Sequence, residues 1–136
     1  MTVDLVAFLR ERLDEDAQAA KHAATREPHG ASWNVTDSDG SEVRAASGVG
    51  VVRRTWPYAA THIARHDPAR VLAEVDAKRR IVSKCEEHMQ LDRETFEAEK
   101  EPARSLSSLR AAYWDACRDL ASAYADHPDY YEEWRP

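Results

Sequence analysis

The chain has 136 residues, 43% of them hydrophobic and 32% charged, with only four glycines and six prolines. That length holds one core without disulfide staples, and the composition suits a helix-rich soluble domain. A net charge of -6 argues against a general binder of phosphate backbones, and no apolar run approaches the ~20 residues of a membrane span.

The N-terminus, MTVDLVAFLRERLDEDA, has acids where a secretory signal has its basic end, so a cytoplasmic chain is expected. An apolar stripe at Val6, Leu9, Leu13, Ala17, Ala20 and Ala24 predicts a first helix over about Val3–Ala24. Thr2 is the expected N-cap, and Asp4 in the first turn suits the positive end of the helix dipole. Asp14, Glu15 and Asp16 are read as a solvated acidic group, and Pro28 and Gly30 end the helical pattern.

From Ala31 the period changes to alternation. Two or three short antiparallel strands are expected, at about Trp33–Thr36, Glu42–Ala46 and Val49–Arg54, with DSDG as a turn between the first two. DSDG also resembles half of a calcium loop, but no glutamate follows at the required spacing.

Trp56-Pro57 closes this patch, and a short helix is expected over Tyr58–Arg65. Asp67 then reads as an N-cap with Pro68 as the first residue of a helix running to about Lys100, ~30 residues or ~45 Å. Val75, Val82, Met89 and Phe96 recur every seven residues and make a packing seam, while the intervening positions Val71, Lys78, Cys85 and Asp92 are mixed. Glu101-Pro102 breaks the run. Ser105 or Ser107 is the expected cap of a last long helix with a stripe at Leu106, Leu109, Tyr113, Cys117, Leu120 and Tyr124.

A tight link at residue 101 makes these two helices an antiparallel hairpin that pairs residues equidistant from it. Phe96 then lies by Leu106, Met89 by Tyr113, Cys85 by Cys117 and Val82 by Leu120, so that apolar meets apolar at each level. Cys85 and Cys117, the two cysteines, are expected as packed thiols in a reducing compartment, with a disulfide as the alternative. In the tail, ADHPDYYEEWRP, Asp129 and Glu132 look like a capping pair for one helical turn. Tyr130, Tyr131 and Trp134 are large for a disordered end, so the tail is expected to dock.

The segments HIARHDPARVLAEVDAKRRIV and YADHPDYYEEWRP, with the DLVAFLRERLDED opening, resemble an uncharacterised family of small actinobacterial and phage-associated proteins of unknown function. The likeness covers both ends and the centre. It lapses from Thr25 to Thr55, where TREPHGASW stands in place of a TPGPW-like turn, and Tyr131 replaces a usually charged residue. More loosely, the β-patch is similar to the tryptophan turn and short strands of small early phage accessory proteins. The resemblance implies an identity and no activity.

No phosphate loop, paired CxxC, nucleophile elbow or dinucleotide fingerprint is present. The chemical lead is His62-x-x-x-His66, which places two imidazoles on one helix face without the glutamate of an HExxH peptidase. In the hairpin register His127 returns level with about Val75. His62, His66 and His127, with Asp67, Asp126 or Asp129, form a candidate zinc-like set. The competing reading makes HDP and DHPD two helix caps. Cys85 and His88 form a CxxH pair that lies ~27 Å up the long helix from Asp67, too far to join the set within one chain.

The expected architecture is a mainly helical α+β fold in a single domain. It has a helix over 1–25, a β-patch over 31–55, a short helix and helical hairpin over 58–125 and a docked tail over 126–136. The expected function is that of a non-enzymatic interaction or accessory module, self-associating or bound to a protein partner. The zinc-binding domain is the alternative. A nucleic-acid role through Arg65, Arg70, Lys78, Arg79 and Arg80 is the third reading.

Overall fold

The structure is a computed structural model. It describes residues 2–25, 30–36, 40–97 and 103–136, and their side chains except those of 2–4, 95–97 and 103–107. Its elements run α1 (Thr2–Ala24), β1 (Trp33–Val35), β2 (Val43–Ala45), β3 (Gly50–Val52), α2 (Pro57–Arg65), α3 (Pro68–Glu97) and α4 (Ala103–Ser122), with a closing 3-10 turn over Glu132–Trp134. This is the α+β, mainly α fold that the periodicities predict. The chain divides into two compact units, one of residues 14–75 and one of residues 1–13 with 76–136.

In the unit of residues 14–75 the three strands form an antiparallel sheet in the order β1-β2-β3, with Trp33 opposite Ala45 and Val35 opposite Val43. The β2–β3 loop is Ala46-Ser47-Gly48, closed by hydrogen bonds from Ala45 N to Val49 O (2.8 Å) and from Gly48 N to Ala45 O (2.9 Å). Gly48 sits at φ 91°, a left-handed conformation that a side chain would strain. Val43 pairs with Val52 but Arg44 with Gly50, so Val51 is an extra residue in β3, and the bulge leaves it 37% exposed. Val43 and Ala45 are buried, and α2 packs Ala60 against β1 and β2.

Asp67 joins this sheet to α3. Its Oδ1 accepts the Arg70 N–H at 2.9 Å, as an N-cap should, and its Oδ2 accepts the Trp33 N–H at 3.1 Å. The Ala69 N–H, another donor of the first turn, goes to Ala31 O at 3.0 Å. The helix start that HDP signals is therefore also the anchor of β1.

In the unit of residues 1–13 and 76–136, α3 packs with α1 and α4. α1 buries Leu5, Val6, Phe8, Leu9, Arg12 and Leu13, a wider face than the predicted stripe. Its rim pairs Arg10 with Glu86 through two hydrogen bonds of 3.2 and 2.5 Å, which hold the Glu86 carboxyl below its ordinary range. The hairpin register holds. Cys85 and Cys117 meet at the expected level and are fully buried. His88 stacks on Tyr113 with ring centroids 5.0 Å apart, and Asp92 meets Arg110 at 3.0 Å. The polar position in the seam is thus matched by charge.

Three local expectations are corrected. α4 begins at Ala103, so Ser105 and Ser107 lie inside it and neither is its cap. Leu109 is 44% exposed, because Arg110 occupies the level facing Asp92. The 3-10 turn takes Tyr131 as its N-cap with no side-chain bond, and Asp129 instead gives its N–H to His127 Nδ1 at 3.1 Å. The Thr2 cap, the Phe96–Leu106 pair, the Glu101-Pro102 link and the residues of DSDG before Gly40 lie outside what the structure describes.

The double use of Asp67 has a measurable consequence. Asp67→Ala should destabilise the fold by about 1–3 kcal/mol in urea denaturation, from the lost cap plus an unpaired Trp33 N–H. Asp67→Asn, which keeps one acceptor oxygen, should fall between it and the wild type.

Candidate functional site

α2 is nine residues long and held by its inner face, where Ala60 is buried and Ala59, Ile63 and Ala64 are half-buried. Tyr58, Thr61, His62 and Arg65 recur at three- and four-residue steps on the other side, and all are exposed. His62 and His66 lie together at the end of this helix, with ring centroids 4.3 Å apart and a tilt of 34°. His66 terminates the helix. Its backbone N–H reaches His62 O at 3.2 Å, and its Nδ1 donates to the same carbonyl at 2.8 Å. That bond leaves the His66 Nε2 lone pair directed away from the helix. Neither ring contacts a carboxylate among the described residues, and both oxygens of Asp67 are already committed to backbone donors.

His127 belongs to the other unit and to a different environment. Its Nδ1 is an acceptor, 3.0 Å from Arg12 Nη1, and its ring stands edge-on to Phe8 at 5.6 Å. In the neutral ring this places the proton on Nε2. Around Phe8 gather Tyr124, His127, Tyr130 and Trp134, with centroids 5.1 to 6.3 Å away. Arg12, 6% exposed, lies 5.1 Å over the same ring. Arg118 completes the clamp by donating to the carbonyls of Trp134, at 3.2 Å, and Arg135.

Among the described residues no group of three or more His, Cys, Asp or Glu side chains is gathered at metal-binding distance. The structure brings together His62 and His66, while His127 serves Arg12 and Asp129. Cys85 and Cys117 are free thiols. The neighbouring Cys85 thiol and burial push the Cys117 thiol up, and Cys85 Sγ turns to Met89 Sδ at 3.6 Å. Enclosed sulfurs of this kind are packing groups rather than nucleophiles.

An open groove of about 610 Å³ runs between α1 and α3 in the same unit. Val6, Ala7 and Met89 form its floor, and the Arg10–Glu86 pair and Arg93 its rim. None of these side chains is a nucleophile or an imidazole, so the groove offers apolar surface without a reacting group.

The most conspicuous surface lies elsewhere. Trp56, the N-cap of α2, is 80% exposed and Tyr58 is 92% exposed. From Val43 to His66 the chain holds four arginines and no acid. Arg44 is paired with Glu42 at 2.9 Å, but the side chains of Arg53, Arg54 and Arg65 make no hydrogen bond or ion pair among the described residues. The sequence pattern uses Trp56-Pro57 only as punctuation. The signal that would have revealed the surface is the alanine and isoleucine spacing of α2, which assigns its inner face and leaves both aromatics outside.

The Phe8 cluster predicts a graded response. Phe8→Ala and Trp134→Ala should each cost about 3–5 kcal/mol and expose the residues after Tyr124 to limited proteolysis. Tyr131→Ala, at a half-exposed ring, should cost under about 1 kcal/mol.

No helix among the described residues is long and apolar enough to cross a membrane. No curated protein and no solved structure matches the chain. The model of a family of unknown function, DUF6221, matches residues 2–136, and the chain belongs to that family.

Proposed function

We propose that this chain is a non-enzymatic protein-interaction module of the cytoplasm that docks through the outer face of α2. The observation that carries the reading is the exposure of Trp56 and Tyr58, with Arg53, Arg54 and Arg65 making no side-chain bond among the described residues. Tryptophan, tyrosine and arginine are the residue types that dominate binding energy in protein interfaces. An accessory role in an actinobacterial or phage setting belongs to the same reading and rests on the HIARHDPARVL and tail motifs alone.

Hydroxyl-radical labelling tests it. Trp56 and Tyr58 should be labelled strongly in dilute purified protein and protected severalfold in a native lysate. Equal labelling in both overturns the reading, and protection that disappears with nuclease transfers the surface to nucleic acid.

A zinc-like ion is the second reading, favoured by the close His62 and His66 rings and the outward Nε2 of His66. Its remaining ligands would come from a partner or from water, and the arginines nearby oppose a cation. Elemental analysis of untagged protein should find metal far below one atom per chain. Stoichiometric zinc lost on His62→Ala would instead establish the site.

A further inference from the structure

We propose that the Trp56/Tyr58 face of one molecule receives the acidic C-terminal turn of a second copy of this chain. The inference rests on the reading of α2 as a docking surface and names its occupant.

Charge carries the argument. The stretch from Val43 to His66 has four arginines and no acid, whereas from Asp119 to Pro136 five acids stand against one arginine. In a chain of net charge -6, two such segments are complementary to each other and repulsive to themselves. Like faces therefore repel, and the contact that charge selects is between the α2 face of one copy and the tail of another.

The tail is also built to be presented. Trp134 is buried, and Arg118 holds the carbonyls of Trp134 and Arg135. This fixes the 3-10 turn and its neighbours without covering them. Tyr131 stands perpendicular to Trp134 at 4.8 Å and remains 51% exposed. Among the described residues Glu132 is paired with Arg135, at 2.6 Å, and Asp126 and Glu133 make no side-chain bond. A tyrosine held against Trp134 and followed in sequence by Glu132 and Glu133 loses little conformational freedom on binding. It matches a surface of tryptophan, tyrosine and arginine in size, polarity and charge.

Sedimentation velocity of the purified full-length protein tests the proposal. At low salt the average mass should rise with concentration beyond that of one chain. It should return to the single-chain value at ~1 M salt, where the screening length falls to about 3 Å. Tyr58→Ala should weaken association by about tenfold with unchanged circular dichroism.

The decisive experiment is a charge swap. The R53E/R54E variant should be monomeric alone, and so should E132K/E133K. Their mixture should associate again, because each supplies the charge that the other's reversed face requires. A strict monomer at every concentration overturns the proposal, as does association indifferent to both variants. Protection of Trp56 and Tyr58 in lysate together with a strict monomer would leave the docking surface standing and assign it to a different protein.

Discussion

A buried guanidinium sets the terms for the end of this chain. Arginine does not shed its proton in a protein interior, so Arg12 can lie 6% exposed only if acceptors and polarisable surface are brought to it. Glu11 Oε2 lies 3.4 Å from Arg12 Nη2, and the tail brings the rest. His127 offers Nδ1 at 3.0 Å, and Phe8, over whose ring the cation lies, is itself enclosed by Tyr124, Tyr130 and Trp134. The arrangement is reciprocal. Without the tail the charge would lose its Nδ1 acceptor and its aromatic cover, and without Arg12 the imidazole would lose one of its two donors, the other being the Asp129 N–H. Residues more than a hundred positions apart are coupled in this way, which explains why a run as polar as DHPDYYEEWRP orders at a terminus at all.

Asp67 plays a comparable part in the unit of residues 14–75, again by one side chain serving two clients. One oxygen caps α3 and the other accepts the first N–H of β1. The two segments that make this sequence recognisable, HDPAR and the DHPDYYEEWRP tail, are thus explained by backbone satisfaction and charge burial. His66 terminates α2 by bonding its own preceding turn, and His127 accepts from Arg12 and Asp129. Aspartate, proline and histidine are grouped there because helix ends leave donors and acceptors that something nearby must satisfy. Specific motifs of this kind identify a fold without pointing to a reaction.

Periodicity made most of the framework legible. The three-and-four spacing of α1, the alternation after Ala31 and the heptad spacing of α3 each correspond to an observed element. The register of the hairpin followed from assuming a tight link, and Cys85–Cys117 and Asp92–Arg110 sit at the levels it requires. What the pattern missed was set by contacts distant in sequence. Nothing around Arg12 marks it as buried, since an arginine on a helix is ordinarily solvated and only the tail makes this one otherwise. The start of α4 was misplaced because serine is a strong cap signal, and here Ser105 and Ser107 lie within the helix. For the candidate site, spacing placed His62 and His66 on one face but could not weigh them against Trp56 and Tyr58, whose exposure depends on which side of α2 meets the sheet.

That exposure is where local structure and stability part company. A nine-residue helix is too short to persist unaided, and its N-cap would be strengthened by about 1 kcal/mol if serine or aspartate replaced Trp56, which makes no capping bond. Tyr58 gains no burial for its ring, and the bulge in β3 turns Val51 outward as well. Arg53, Arg54 and Arg65, whose side chains make no ion pair among the described residues, add like charge to the same region. Each feature works against the isolated domain, while elsewhere, at Asp67, Arg12 and the Cys85–Cys117 level, local choices and the global fold agree. Where a sequence departs from its own stabilising logic without compensation inside the molecule, the compensation is to be sought outside it. A partner carrying carboxylates and an aromatic ring would supply the missing burial and the missing countercharge together.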